Sequence, residues 1–186
     1  MPESTLLHEF IAIAAHRSPN SRSLTAGTAS WTYAELDDSV RGCAAGLVGL
    51  GLARSDRVAI YLEKRFEAVV ASFGALAAGC VFVPINPVLK AEQAMYILND
   101  CDVRVLVTSP ERLKLLESVL ARCPSVEHVA RQQVVEQHHP RPGVEGRREL
   151  AEPGIERQRQ RCQQRVGGGV FQVSGDALCT RHHVPV

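Results

Sequence analysis

A chain that handles phosphate needs glycines for close backbone approach and usually a lysine to meet the charge. Here the lysines are Lys64, Lys90 and Lys114, none beside a glycine. The dinucleotide pattern G-x-G-x-x-G also fails, because Gly46, Gly49 and Gly51 carry its spacing reversed. Gly167, Gly168 and Gly169, with Ser174 and Gly175, echo such a loop without a lysine, and flexible tail is the better reading. Metal binding would need His, Cys or carboxylates converging on one point. His138-His139 and His182-His183 with Cys162 and Cys179 are poor material, because adjacent His side chains seldom share a face. No G-x-S-x-G elbow is present, and nothing nominates a cysteine nucleophile. Arg157, Arg159, Arg161 and Arg165 could contact phosphates, yet no aromatic interleaves with them for base stacking. Glu63, Lys64, Arg65 and Glu67 cluster at a strand end, where α/β sheets place ligand sites. Their plainer reading is a solvated helix start of mixed charge. Trp31 and Tyr33 could line a pocket, but their place beside a helix cap makes them packing residues. The residues alone therefore assign no catalytic group and no metal ligand, and leave cofactor-binding residues unknown.

The elements that would position such groups occupy an ordinary globular composition. Of 186 residues, 45% are hydrophobic and 22% charged, with a net charge of +1, which argues against a wholly disordered or collagenous chain. That length suits one domain, or one domain and a tail. Cysteines stand at 43, 80, 101, 123, 162 and 179 with no C-x-x-C pair, and the first four lie in or beside apolar runs. The start Met-Pro-Glu-Ser lacks a signal-peptide pattern, so a reducing cytoplasm is expected. Residues 68–89 are uncharged and long enough to raise a membrane span. Gly79 divides a helical period from an alternating one there, and Pro84 and Pro87 close the stretch, so a buried helix followed by a strand is expected.

Leu6, Leu7, Phe10, Ile11, Ala14 and Ala15 recur at helical spacing after Ser4 and Thr5, which can cap them. A short strand at 23–25 and a turn at 26–28 lead to Trp31. Thr32 and Glu35 stand in capping-box register, and Leu36, Val40, Cys43, Leu47 and Leu50 continue as one apolar stripe. The run 58–62 reads as a strand covered on both faces. A helix through Phe66 and Ala77, a strand at 80–85, a helix through Ala91 and Leu98, and a strand at 103–108 follow. Ser109-Pro110-Glu111 supplies a cap, a first-turn proline and an early acid for a helix carried by Leu113, Leu116 and Leu120. Residues 126–129 begin another strand. This alternation predicts an α/β fold: a partial, open, mostly parallel sheet with helices on both faces, followed by a disordered tail.

The tail is expected from a break near residue 130. Residues 131–186 carry 9 Arg, no Lys and 8 Gln, whereas residues 1–130 carry one Gln. Gln158 to Arg165 alternates polar types and has no apolar face. Arg without Lys, paired His and abrupt loss of periodicity point to coding sequence read out of frame, with a genuine disordered tail as the alternative.

The core runs resemble a known family. Trp31-Thr32-Tyr33-Ala34-Glu35-Leu36, then Asp56-Arg57-Val58-Ala59-Ile60, then Ala77-Ala78-Gly79-Cys80-Val81-Phe82-Val83-Pro84-Ile85-Asn86-Pro87 look like the first core motifs of AMP-forming acyl-CoA synthetases. Leu89-Lys90-Ala91-Glu92-Gln93 and Val105-Leu106-Val107-Thr108-Ser109 fit the same family, and the whole is most similar to the acyl-CoA ligases accompanying exosortase systems. The resemblance implies an enzyme that uses ATP and Mg²⁺ to convert a fatty or other carboxylic acid into an acyl adenylate. Coenzyme A then displaces AMP to leave a thioester. It also implies that the phosphate loop, the nucleotide contacts, the metal-binding acid and the lid lysine all lie downstream of residue 130, so no catalytic role passes to any residue here.

The expectation is therefore an N-terminal subdomain of an AMP-binding acyl-CoA ligase over residues 1–130 and a low-complexity Arg/Gln/Gly tail over 131–186. Such a chain should be inactive alone, bind no ATP, Mg²⁺ or coenzyme A and no nucleic acid, have no membrane span, and be prone to self-association along an open sheet edge. The contrasting readings are a non-catalytic α/β interaction module and nucleic-acid binding through the Arg-rich tail.

Overall fold

The computed structural model describes residues 6–132 and the strand at 171–173. In chain order the elements are α1 (Glu9–Arg17), β1 (Arg22–Ala26), β2 (Ala29–Thr32), α2 (Tyr33–Gly49), β3 (Arg57–Tyr61), α3 (Phe66–Ala77), β4 (Val81–Pro84), α4 (Ala91–Asp100), β5 (Val103–Thr108), α5 (Pro110–Leu120), β6 (His128–Gln132) and β7 (Phe171–Val173). Strands β1 and β2 form an antiparallel hairpin. The main sheet has the order β4-β3-β5-β6-β7, with the first four strands parallel and β7 antiparallel to β6. This is the expected α/β architecture. Within the stretch expected to be a disordered tail, residues 131–132 and 171–173 are instead strand, paired antiparallel as the end of β6 with β7, while the rest of that stretch and the ligand candidates at 138–169 and 174–183 lie outside the described residues.

Alternation across the pleat divides the core between the two faces of the sheet. Val58 and Ile60 of β3 and Val105 and Val107 of β5 meet Leu36, Val40, Cys43 and Leu47 of α2 and Val70, Ala71 and Ala75 of α3. Ala59, Tyr61 and Leu106 point the other way, into Ala94 and Leu98 of α4 and Leu116 and Val119 of α5. The uncharged stretch 68–89 is thus most of α3, then β4 and the loop that follows it. Among the described residues no helix is long and apolar enough to cross a membrane.

Local chemistry explains why the best-marked helices start where they do. Thr32 accepts the Glu35 N–H while the Glu35 carboxylate accepts the Thr32 N–H, completing the capping box of α2. Ser109 accepts the Arg112 N–H, with Pro110 in the first turn of α5. The first helix departs from expectation. It begins at Glu9 after His8, which makes no side-chain cap bond, whereas Ser4 and Thr5 lie outside the described residues. Of its expected apolar row only Ile11 is buried, while Leu6, Leu7 and Phe10 are exposed; among the described elements α1 packs chiefly on α2.

Strand β4 is a sheet edge among the described residues. Val81 and Ile85 donate their N–H groups to Asp56 and Ile60 on the β3 side, so alternation turns Phe82 and Pro84 outward. Proline has no N–H, which leaves Phe82 as the one outward donor of the strand. Pro84 therefore occupies a position where it breaks no ladder bond and blunts the edge against further pairing.

Candidate functional site

The chain leaves β3 for β4 on one side and then crosses back to β5 on the other. This creates a topological switch point beyond the C-terminal ends of β3 and β5, the usual location of ligand sites in open α/β sheets. The cluster read from sequence stands there. Glu63 Oε1 accepts from Arg112 Nε at 2.7 Å, and Arg65 faces Glu67 at 3.6 Å. Lys64 is exposed. Arg112 is a member that sequence reasoning missed, and its guanidinium carbon lies 5.4 Å from the centre of the Tyr61 ring. The Tyr61 hydroxyl donates to the Leu89 carbonyl at 2.7 Å, and the Thr108 hydroxyl donates to the Tyr61 carbonyl at 3.0 Å. Arg112 and its hydrogen bond hold the Glu63 carboxyl below its ordinary range, and Glu63 in turn raises Arg112. Glu111 is also lowered, first by its own backbone N–H and then by the Ser109 hydroxyl.

The opposite end of the sheet carries a second ionic group. Arg104 of β5 bonds Asp56 at 2.5 Å and Glu127 at 2.5 Å, and the Ala53 N–H donates to Asp56 at 2.7 Å. These contacts fasten the entries to β3, β5 and β6. Trp31 packs on Phe66 with ring centres 5.0 Å apart, as a packing residue should. Tyr33 borders a shallow groove with Phe10, Ala14 and Ser21. Cys43, Cys80 and Cys123 are free and buried, and burial pushes the Cys43 thiol up to about 12, where it is inert as a nucleophile.

The sheet order and its switch point define an open doubly wound α/β protein, and comparison with known proteins supplies the family. The profile of the family described as AMP-binding enzyme matches residues 11–164. The chain belongs to that family. It is 38% identical over 108 residues to phosphinothricin tripeptide synthetase PhsB of Streptomyces viridochromogenes, a match covering 58% of this chain and 9% of that protein. The crystal structure of the anthranilate CoA ligase AuaEII in complex with anthranoyl-AMP is 27% identical with a TM-score of 0.66, covering 70% of this chain and 25% of the ligase. A Mycobacterium tuberculosis fatty acyl CoA synthetase is 25% identical with a TM-score of 0.64, covering 68% and 26%. The chain thus spans about a quarter of these structures.

The groups this family implies, ATP and Mg²⁺, do not fit the described residues. Among the described residues the positive-φ glycines are Gly27 in the hairpin turn, Gly51 after α2 and Gly79 after α3, none at the switch point. Among the described residues no three His, Cys, Asp or Glu side chains converge as metal ligands.

Proposed function

We propose that this chain supplies the N-terminal scaffold of an ATP-dependent enzyme that turns a carboxylate into an acyl adenylate and then a thioester, and that alone it completes neither step. One observation carries the reading: the family profile falls on a chain that spans about a quarter of its solved relatives and that, among the described residues, has no positive-φ glycine at the switch point. The names of the similar proteins support a carboxylic acid substrate, since a CoA ligase and a peptide synthetase each join an activated carboxyl group to a nucleophile. A carboxylate is a poor electrophile because its leaving group is poor, and adenylation supplies a better one. Preorganised cations and donors must then stabilise the charge that develops. ATP, Mg²⁺ and coenzyme A belong to the complete enzyme.

A fatty acid substrate and the type accompanying exosortase systems are finer forms of the proposal, supported by sequence resemblance. Cytoplasmic placement is supported by the buried free thiols. The division into residues 1–130 and 131–186 belongs to the same proposal, although β6 continues through Gln132. The surrounding coding DNA tests the reading. An adjacent frame downstream should encode a Gly/Ser/Thr-rich loop with a lysine and a C-terminal lid. An intact gene of this length with no such frame would contradict it.

A further inference from the structure

We infer that the outer edge of β6 is a strand-docking surface and that two copies of this chain exchange β7 across it to form a closed dimer. Just before β6 the Glu127 N–H donates to the Arg104 carbonyl at 2.9 Å. By alternation the backbone groups of Val129 and Arg131 also face β5, while those of His128, Ala130 and Gln132 face outward. No residue of β6 is proline, so unlike β4 this edge keeps every outward donor. β7 uses the edge in one register. Val173 opposes Ala130 and Phe171 opposes Gln132, which makes those the hydrogen-bonded pairs of the antiparallel ladder, with Arg131 and Gln172 as the non-bonded pair between them. β7 is only three residues long and stops short of His128, the remaining outward position of β6. Residues 133–170 separate it along the chain from the strand it pairs with. The same three residues on a second copy meet the same edge with the same backbone bonds, so a chain's own strand and its neighbour's differ chiefly in effective concentration. That concentration falls as the connection lengthens, which is what lets a neighbour's strand compete. Reciprocal exchange gives each copy one donated strand and one filled edge, a twofold arrangement that closes on itself.

The test traps the exchanged strand in the full chain. Directly opposed positions of a non-bonded pair have Cα atoms about 4.5 Å apart, inside the roughly 4.4–6.8 Å that a disulfide spans. Chains carrying Arg131→Cys are mixed with chains carrying Gln172→Cys, each in a Cys162→Ser, Cys179→Ser background. The mixture is oxidised across a concentration series up to about 1 mM, the scale of a tethered strand, and its disulfides are mapped by mass spectrometry. The expected product is a 131–172 disulfide joining two chains, with a yield that rises in proportion to concentration. Moving the thiol from Gln172 to Val173 puts it on the other face of the strand and should cut that yield several-fold. Val173→Pro in the Gln172→Cys chain removes a ladder N–H and should cut it likewise. A chain carrying both thiols should close internally at low concentration. Internal closure of that double variant with no bond between the single variants at any concentration would overturn the exchange. So would a double variant that forms no 131–172 bond, or equal yields from Gln172→Cys and Val173→Cys, the mark of random encounter.

Discussion

Gly74 lacks a side chain where Cys43 of the neighbouring helix already fills the space. A Cβ built at Gly74 would lie 2.5 Å from the Cys43 Sγ and 2.6 Å from its Cβ. In an exposed helix Gly→Ala is favourable by about 1 kcal/mol, but overpacking a core typically costs about 1–3 kcal/mol, and the clash decides the sign. Gly74→Ala should therefore destabilise the protein in urea unfolding. Cys43→Ala should not rescue it, because the offending Cβ stays, whereas Cys43→Gly should recover part of the loss. Charge at the sheet's ends makes a second prediction. Asp56 is held below its ordinary range first by the Ala53 N–H, and Glu127 and Glu63 by the arginines they face. Depressed carboxylates favour the native state above their unfolded values, near about 4, and that stability is lost as pH falls through their native values. Thermal unfolding should be flat from about pH 8 to 5 and fall below about pH 4, and Asp56→Asn should weaken the fall. A Tm that rises on acidification contradicts this.

Helices announce themselves through local chemistry, and α2 is the clearest case. Thr32→Ala removes the cap acceptor and should cost about 1 kcal/mol in urea unfolding, with Glu35→Ala giving a smaller loss. A neutral Thr32→Ala variant would show that packing alone sets that helix start. The apolar stripe of α2, the strands β3 and β5, and the Ser109-Pro110 start of α5 were all legible because their signals lie within a few residues. Elements that depend on pairing with another segment were not. β2 has four residues, and its strand character comes from pairing with β1. β7 has three residues and pairs with β6 from far along the chain. Arg112 meets Glu63 across 49 positions, a juxtaposition that only the parallel register of β3 and β5 creates. Leu6, Leu7 and Phe10 fit a helical period yet are exposed, because periodicity shows which residues share a face and not whether anything covers it.

At the scale of the whole molecule the chain carries the motifs of a large family on about a quarter of the length of its solved relatives. Val88 is 78% exposed and Tyr96 67%, beside an apolar groove on α4 bordered by Leu89 and Ile97. A few hundred Å² of such surface is worth several kcal/mol at about 25 cal/mol per Å² when covered, so light scattering should show association that grows with concentration. Replacing Val88 and Tyr96 with serine should reduce it more than Val81→Lys does, because Pro84 already blunts the β4 edge. A monodisperse monomer at all concentrations contradicts that prediction. The central claim is that a scaffold from this family, without a phosphate cradle at its switch point, cannot activate a carboxylate alone. ATP-dependent pyrophosphate release by the purified 186-residue chain, assayed with a panel of fatty and aromatic carboxylic acids, tests it most directly. The account predicts no release above the acid-free control, and release that requires both ATP and one of the acids would contradict it.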